Sequence, residues 1–501
     1  MLTTRRLATL ILFIGLFAMA TRVAVDSDTF WHLRAGTWML DHGRLLNFEA
    51  FSHTRLNAPW INHSWLTEIP MAALYRAFGY AGLNLATAFI IWFTFLFVYL
   101  SGEGGSYLRA FVIVLAAAAS GVYWSARPQI MSMLLAAIFN YILILYCQRS
   151  LNRLWLLPLL MILWVNLHGG FAIGFILLVI NFVGQALVFA LRGFRIPAEQ
   201  SQRPLPHVAM LWVGGIGLAC AAAVAINPYG LQMLLYPFKT VSIGVLQNYI
   251  QEWQSPNFHT REAQVFIILW LATFAAVGFG RRRLDPIDFL SFSAFTGLAL
   301  LAGRNIAVFA VVAAPILMRH ADSAIAELQE RWPKLRIAAS GSTPTLVTRI
   351  VNWALLVIVA AATVIKAALP LTPSTVDTAI SKIAPVGAAT YLKTLPVRGA
   401  MFNSYNFGGY LTWALYPDRP VFVDGRTDLY DDEFLTEYLS AYLAEPGWEK
   451  TFARYQIALV LVEPNAPIAR ALLVKPEWGV RYRDSVAVVI IKLNKEQAGN
   501  E

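Results

Sequence analysis

The sequence predicts a polytopic α-helical membrane protein of about eleven transmembrane helices followed by a soluble C-terminal α/β domain, and three observations carry that expectation. Of its 501 residues, 58% are hydrophobic and 14% charged, with a mean hydropathy of +0.56, too little charge to coat a soluble surface. The apolar residues gather in runs of span length separated by short basic segments. After residue 371 those runs give way to alternating strand-like and helix-like stretches. The net charge of +10 does not point to nucleic acid, because the arginines sit in connecting segments and no nucleic-acid motif accompanies them. Cys147 and Cys220 fall in or beside apolar runs and read as packing residues rather than an extracellular disulfide.

The opening MLTTRRLATLILFIGLFAMATRVAV has a basic start and an apolar run of about 18 residues, which is span length, so it reads as a retained first span. Residues 26–79 then form a long outer loop. Within it Phe30, Leu33, Trp38 and Leu40 recur at near-helical spacing, as do Trp65, Leu66, Ile69 and Ala73. Two amphipathic helices on the membrane surface are expected, with HTRLNAPWINHSW as an ordered loop between them. Further apolar runs follow at 80–100, 107–124, 128–147, 154–167, 170–191, 207–226, 264–280, 287–303, 306–318 and 351–369. From Leu154 to Leu191 a single helix would measure roughly 57 Å against a core of about 30 Å, so the chain turns in NLHGG, Asn166 to Gly170. Ile287 to Met318 would reach roughly 48 Å with Arg304 near its middle, where a charge costs about 2.5–3.5 kcal/mol or more. A turn there brings Arg304 to the membrane surface.

With the N-terminus inside, Arg149, Arg153, Arg192, Arg195, Arg203, Arg281 to Arg283, Arg319, Arg331, Lys334, Arg336 and Arg349 all fall on the cytoplasmic side of a multi-pass cell (inner) membrane protein. Asp26, Asp28, His32, His53, His63, Arg127, Asn166, His168, Asn227 and Arg304 then lie outside or at an outer span end. Any one of them is tolerated there without a function, but the set points to an outward-facing polar site whose three turns line one cavity. Residues 372–501 also lie outside. VRGAMFNSY, RPVFVDGRTDLY, QIALVLVEP and VAVVIIKL read as strands; FGGYLTWALY, FLTEYLSAYLA and the region around IARALLV read as helices. Tyr405, Asp424, Arg426 and Asp428 thereby sit on strand-to-helix connections, where α/β domains place functional groups, although a structural aspartate–arginine pair is an equal reading. No P-loop, HExxH or GxSxG signature and no internal repeat is present.

DSDTFWHLRAG, followed by WMLDHG, PWINHSWLTEI and a second span, resembles the first outer loop of the GT-C membrane glycosyltransferases, which use lipid-phosphate-linked sugar donors. Asp28 to Arg34 looks most like the oligosaccharyltransferase catalytic subunits of that superfamily, which also holds the dolichyl-phosphate-mannose protein mannosyltransferases. YNFGGYL followed by RPVFVDGRTDLY is similar in outline to their acceptor-recognition motif and the strand after it. The resemblance implies an inverting transferase that moves a sugar from a polyprenyl-phosphate donor to an acceptor on the outer face. It implies Asp28 as base with Asp26 beside it; the residues' own chemistry and shared outer placement put Arg127, Arg304 and His168 around the donor phosphate and His32, His63, Asn166, Tyr405, Asp424 and Arg426 toward the substrates.

This chain departs from that pattern twice. Phe407 stands where the acceptor motif carries an acid, and YWSARPQ puts Arg127 where the family has metal-holding acids. The expectation is therefore no cofactor, with a side-chain cation in place of a divalent metal and a bound divalent metal as the alternative reading. A polyprenyl phosphate is already a good leaving anion, so the reaction needs a base for the acceptor and positive charge for the phosphate. The competing readings are a non-catalytic GT-C-like scaffold or assembly subunit, and a lipid-carrier polysaccharide ligase or polymerase. The partners expected are the lipid-linked donor and membrane lipid; the sequence names neither sugar nor acceptor.

Overall fold

The computed structural model describes residues 2–190, 205–332, 345–395 and 399–493. Arg192, Arg195, Arg203, Lys334 and Arg336, on which part of the expected topology rests, lie outside the described residues.

Every expected apolar run is helical. Among the described residues, eight helices are long and apolar enough to cross a bilayer: Trp65–Ser101, Ser106–Tyr123, Gln129–Arg149, Gly169–Ala190, Pro206–Ala223, Arg261–Phe279, Gly303–Arg331 and Leu346–Leu371. Thr4–Ala20, Leu156–Leu167 and Pro286–Leu301 are shorter, at 17, 12 and 16 residues, so the count by length is eight rather than eleven. Helix Ile306–Arg331 runs through the middle of the bundle, buried along its first half, and its Phe309 shares one core with Phe95, Phe139 and Trp164 of other helices.

The two stretches of helical spacing in residues 26–79 both form helices. Asp26 caps the first, Ser27–His42, by accepting the Asp28 N–H at 3.0 Å, and Gly43 ends it in the left-handed region at φ 61. The second begins at Trp65 and breaks at Gly79, whose φ of 59 redirects the chain into the span that follows. Both sharp turns also appear where length required them: His168 terminates Leu156–Leu167, and a short 3-10 turn, Gly303–Asn305, separates Pro286–Leu301 from Ile306–Arg331.

The C-terminal region folds around a four-stranded sheet of β1 (Ala400–Asn403), β2 (Ile457–Val462), β3 (Trp478–Arg483) and β4 (Val488–Lys492), in the order β1-β2-β4-β3. The β1–β2 pair is parallel and the others antiparallel, with Val460 opposite Ile490. RPVFVDGRTDLY, expected as a strand, joins no sheet. Its extended segment makes one bridge, Val421 with Ser52, and so ties the 26–79 connection to the C-terminal region. Strand β3 is the one that the sequence reading did not single out.

This junction is dense. Helix Tyr405–Leu415 lies on Ser27–His42, where a side chain at Gly409 would overlap the Ser27 carbonyl and one at Gly408 the Val423 carbonyl. Arg34 donates to the Trp413 carbonyl and stacks on its ring at 4.8 Å, while Thr54 donates to the Phe422 carbonyl at 2.6 Å.

Candidate active site

Between the helix ends, the 26–79 connection, residues 236–253 and the C-terminal region lies a cavity of about 1320 Å³. Asp26, Asp28, His32, His63, Arg127, His168, Arg304 and Tyr405 all border it, so the three turns predicted to share a site do share one.

Arg127 is its organising cation. One guanidinium nitrogen stands 2.7 Å from Asp28 Oδ2 and 3.3 Å from Asp26 Oδ1, and the other donates to Glu252 and to Gln129, each at 2.8 Å. The second Glu252 oxygen lies 3.2 Å from Arg304, whose guanidinium rests 4.5 Å above the Trp253 ring. Glu252 thus bridges the two arginines with its two oxygens. Sequence reasoning missed Glu252: it is a single acid in YIQEWQ, with no spacing that marks it.

Burial pushes the Asp28 carboxyl up to about 7; Arg127 opposes that shift, and Asp26 and Glu252 reinforce it. Burial also pushes Glu252 up, but Arg127 and Arg304 outweigh it and hold that carboxyl at about 2. The same carboxylates raise Arg127 against its own burial. The backbone of the VDGRTD segment closes over Asp28, since a side chain at Gly425 would overlap Asp28 Oδ1.

On the far side of the arginines, His168 Nδ1 accepts the Gly170 N–H at 3.0 Å and lies 2.8 Å from Ser132 Oγ. His63 meets the Tyr236 hydroxyl at 2.7 Å, and its ring stands 5.7 Å from that of His168. Burial holds both imidazoles below their ordinary range, and for His168 the charge environment of His63, Arg304 and Arg127 adds to that effect.

Other expected residues are placed differently. His32 touches the cavity, but its Nδ1 is committed to Glu68 at 2.7 Å, and burial dominates its lowered pKa. Asn166 does not border the cavity: its oxygen accepts from Trp65 at 3.0 Å and Asn227 at 3.1 Å, and its amide donates to the Ile162 and Ile226 carbonyls. Tyr405 faces the cavity with its hydroxyl 3.2 Å from Thr427 Oγ1. Asp424 and Arg426 are fully buried, correcting the expectation that they face substrate. Arg426 pairs with Asp424 at 2.6 Å and with Glu49, between the rings of Phe51 and Trp60. From the same segment it is Thr427 and Asp428 that reach the cavity.

The divalent metal that the resemblance implies does not fit these residues. Asp26, Asp28 and Glu252 each turn one oxygen to Arg127, the second Glu252 oxygen goes to Arg304, and among the described residues no group of three or more His, Cys, Asp or Glu is arranged to hold an ion.

No family model matches the sequence, and no curated protein matches it. Solved structures do. The archaeal oligosaccharyltransferase AglB from Archaeoglobus fulgidus, in complex with an inhibitory peptide and a dolichol-phosphate, aligns at a TM-score of 0.56 and 12% identity over 91% of this chain and 69% of its own. The Archaeoglobus fulgidus oligosaccharyltransferase tethered to an acceptor peptide aligns at 0.55 and 14% identity over 98% of this chain and 74% of its own. Its apo form gives 0.52 and 12% over 98% and 74%. The chain shares the overall fold of these oligosaccharyltransferase structures. At these identities the likeness concerns architecture alone.

Proposed function

We propose that this protein is an inverting membrane glycosyltransferase that moves a sugar from a polyprenyl-phosphate-linked donor to an acceptor at the outer face of the cell membrane. In this reading its N-terminus is cytoplasmic, and residues 372–501 form an extracytoplasmic domain. One observation carries the proposal: a buried carboxylate, Asp28, shares a cavity with two arginines and a histidine, and the cavity wall beyond them is apolar, with Ile130, Met133, Ile173 and Ile176. A phosphate attached to a long hydrocarbon chain matches that division. The dolichol-phosphate bound to AglB on the same fold supports a lipid phosphate as ligand.

The geometry supports the following reaction. An acceptor oxygen or nitrogen gives its proton to Asp28 and attacks the anomeric carbon. The bond from that carbon to the phosphate oxygen breaks, and its electron pair leaves on the phosphate, beside Arg127 and Arg304. A single displacement inverts the anomeric centre. Asp28 suits the role of base because a carboxyl raised to about 7 is basic enough to take a proton and still largely ionised just above neutrality. Asp26 caps the helix that carries Asp28 and shares Arg127 with it. No divalent ion takes part in this scheme.

The test uses the purified full chain with radiolabelled polyprenyl-phosphate sugars and a membrane extract as the source of acceptor. Label should move to an acceptor with the native protein and not with Asp28→Asn, while both bind the lipid donor. If the native protein neither binds a polyprenyl phosphate nor consumes any such donor, the proposal fails and a non-catalytic scaffold takes its place.

A further inference from the structure

We infer that the His168-Gly-Gly turn holds His168 as a neutral Nε2–H donor to the leaving phosphate, with Ser132 and Trp164 as its positioning residues. The argument follows the protons. The Trp164 indole can only donate, and it gives its hydrogen to Ser132 Oγ at 2.8 Å. The Gly170 backbone N–H can also only donate, and it points at His168 Nδ1 from 3.0 Å, so that nitrogen carries its lone pair. The Ser132 hydroxyl, 2.8 Å from the same nitrogen, must then donate to it as well. The ring proton is left on Nε2, and the residue borders the cavity that holds both arginines.

The two glycines are explained by this arrangement. A side chain at Gly170 would come within 2.5 Å of Ser132 Oγ and 2.9 Å of His168 Nδ1, and one at Gly169 within 2.9 Å of the Tyr236 ring. A neutral donor adds a directed hydrogen bond to a phosphate oxygen between two guanidiniums without placing a third cation there. The inference rests on the donor-phosphate reading of the site.

The test uses the full chain in lipid nanodiscs, with undecaprenyl phosphate as the probe and ring-15N-labelled histidine. The His168 signals, assigned by their loss in His168→Gln, should show an unprotonated Nδ1 and a protonated Nε2 at pH 7. Ser132→Ala should move the Nδ1 resonance toward a weaker hydrogen bond while Nε2 stays protonated, a change that mere loss of packing does not produce. His168→Ala should weaken undecaprenyl phosphate binding by about tenfold or more, and His168→Gln, which keeps an N–H near the Nε2 position, should restore most of it. A protonated Nδ1 overturns the inference. So does His168→Ala binding as tightly as the native protein while Arg304→Leu binds weakly. If neither substitution weakens binding, the donor-phosphate reading falls together with it.

Discussion

Asp28 and Asp26 are two residues apart and both meet Arg127, yet their environments assign them different work. Asp26 spends one oxygen on the backbone of its own helix, whereas Asp28 is the carboxylate that burial raises to about 7. Asp28→Asn should therefore lower turnover by at least about a hundredfold with donor binding retained, in the labelled-donor assay. The pH profile of that assay should agree in sign: a base must be unprotonated, so the rate should climb as pH rises through about 7 and fall away below it. A rate that is flat from pH 5 to 8 would remove Asp28 from the role. Glu252 leads to an opposite expectation. Its two oxygens sit between Arg127 and Arg304, where a phosphate would have to sit, so Glu252→Gln should tighten undecaprenyl phosphate binding, measured by titration. Asp28, Arg127 and Arg304 were legible in the sequence because each charge interrupts or borders an apolar run, where insertion is costly. Glu252 was not, because its meaning arises only when Arg127 from one turn and Arg304 from another meet across it.

At the scale of elements, the sequence marked the right segments but in two cases not their use. NLHGG and the break at Arg304 followed from length alone, and both turns appear. YNFGGYL was read toward the acceptor, and the structure uses its two glycines to let helix Tyr405–Leu415 approach Ser27–His42 and the 421–425 segment. RPVFVDG looks like a strand because Val421, Phe422 and Val423 are all buried, but that burial comes from packing between layers and not from sheet pairing. Alternating or continuous apolar residues report enclosure, and what encloses them is a tertiary fact. Gly409→Val makes the consequence measurable. The added side chain would overlap the Ser27 carbonyl at the start of the helix carrying Asp28, so the variant should melt at a lower temperature. It should also lose transfer activity more steeply than donor binding if Asp28 is the base proposed above, because Asp28 moves while Arg127 and Arg304 stay on other elements.

On the scale of the whole molecule, the cavity takes walls from both sides of the boundary expected after residue 371. What fastens the two sides is a buried ionic cluster. Glu49 from the 26–79 connection and Asp424 from the C-terminal region share Arg426, all three out of contact with water and with Arg426 lying between Phe51 and Trp60. Two carboxylates buried around one guanidinium are tolerable only while it is present; removing it leaves both with backbone N–H partners but no counter-charge, in a medium that solvates neither. Arg426→Met should therefore destabilise the protein by about 3–5 kcal/mol, seen as a large fall in melting temperature of the nanodisc-embedded chain. Adding Glu49→Gln and Asp424→Asn to that variant should recover part of the loss, because the stranded charges are then gone. A substrate-binding Arg426 makes the reverse prediction, a raised KM at unchanged melting temperature with no recovery from the added substitutions. The two outcomes separate cleanly, and with the side chain closed off from the cavity by its partners, the structural one is expected.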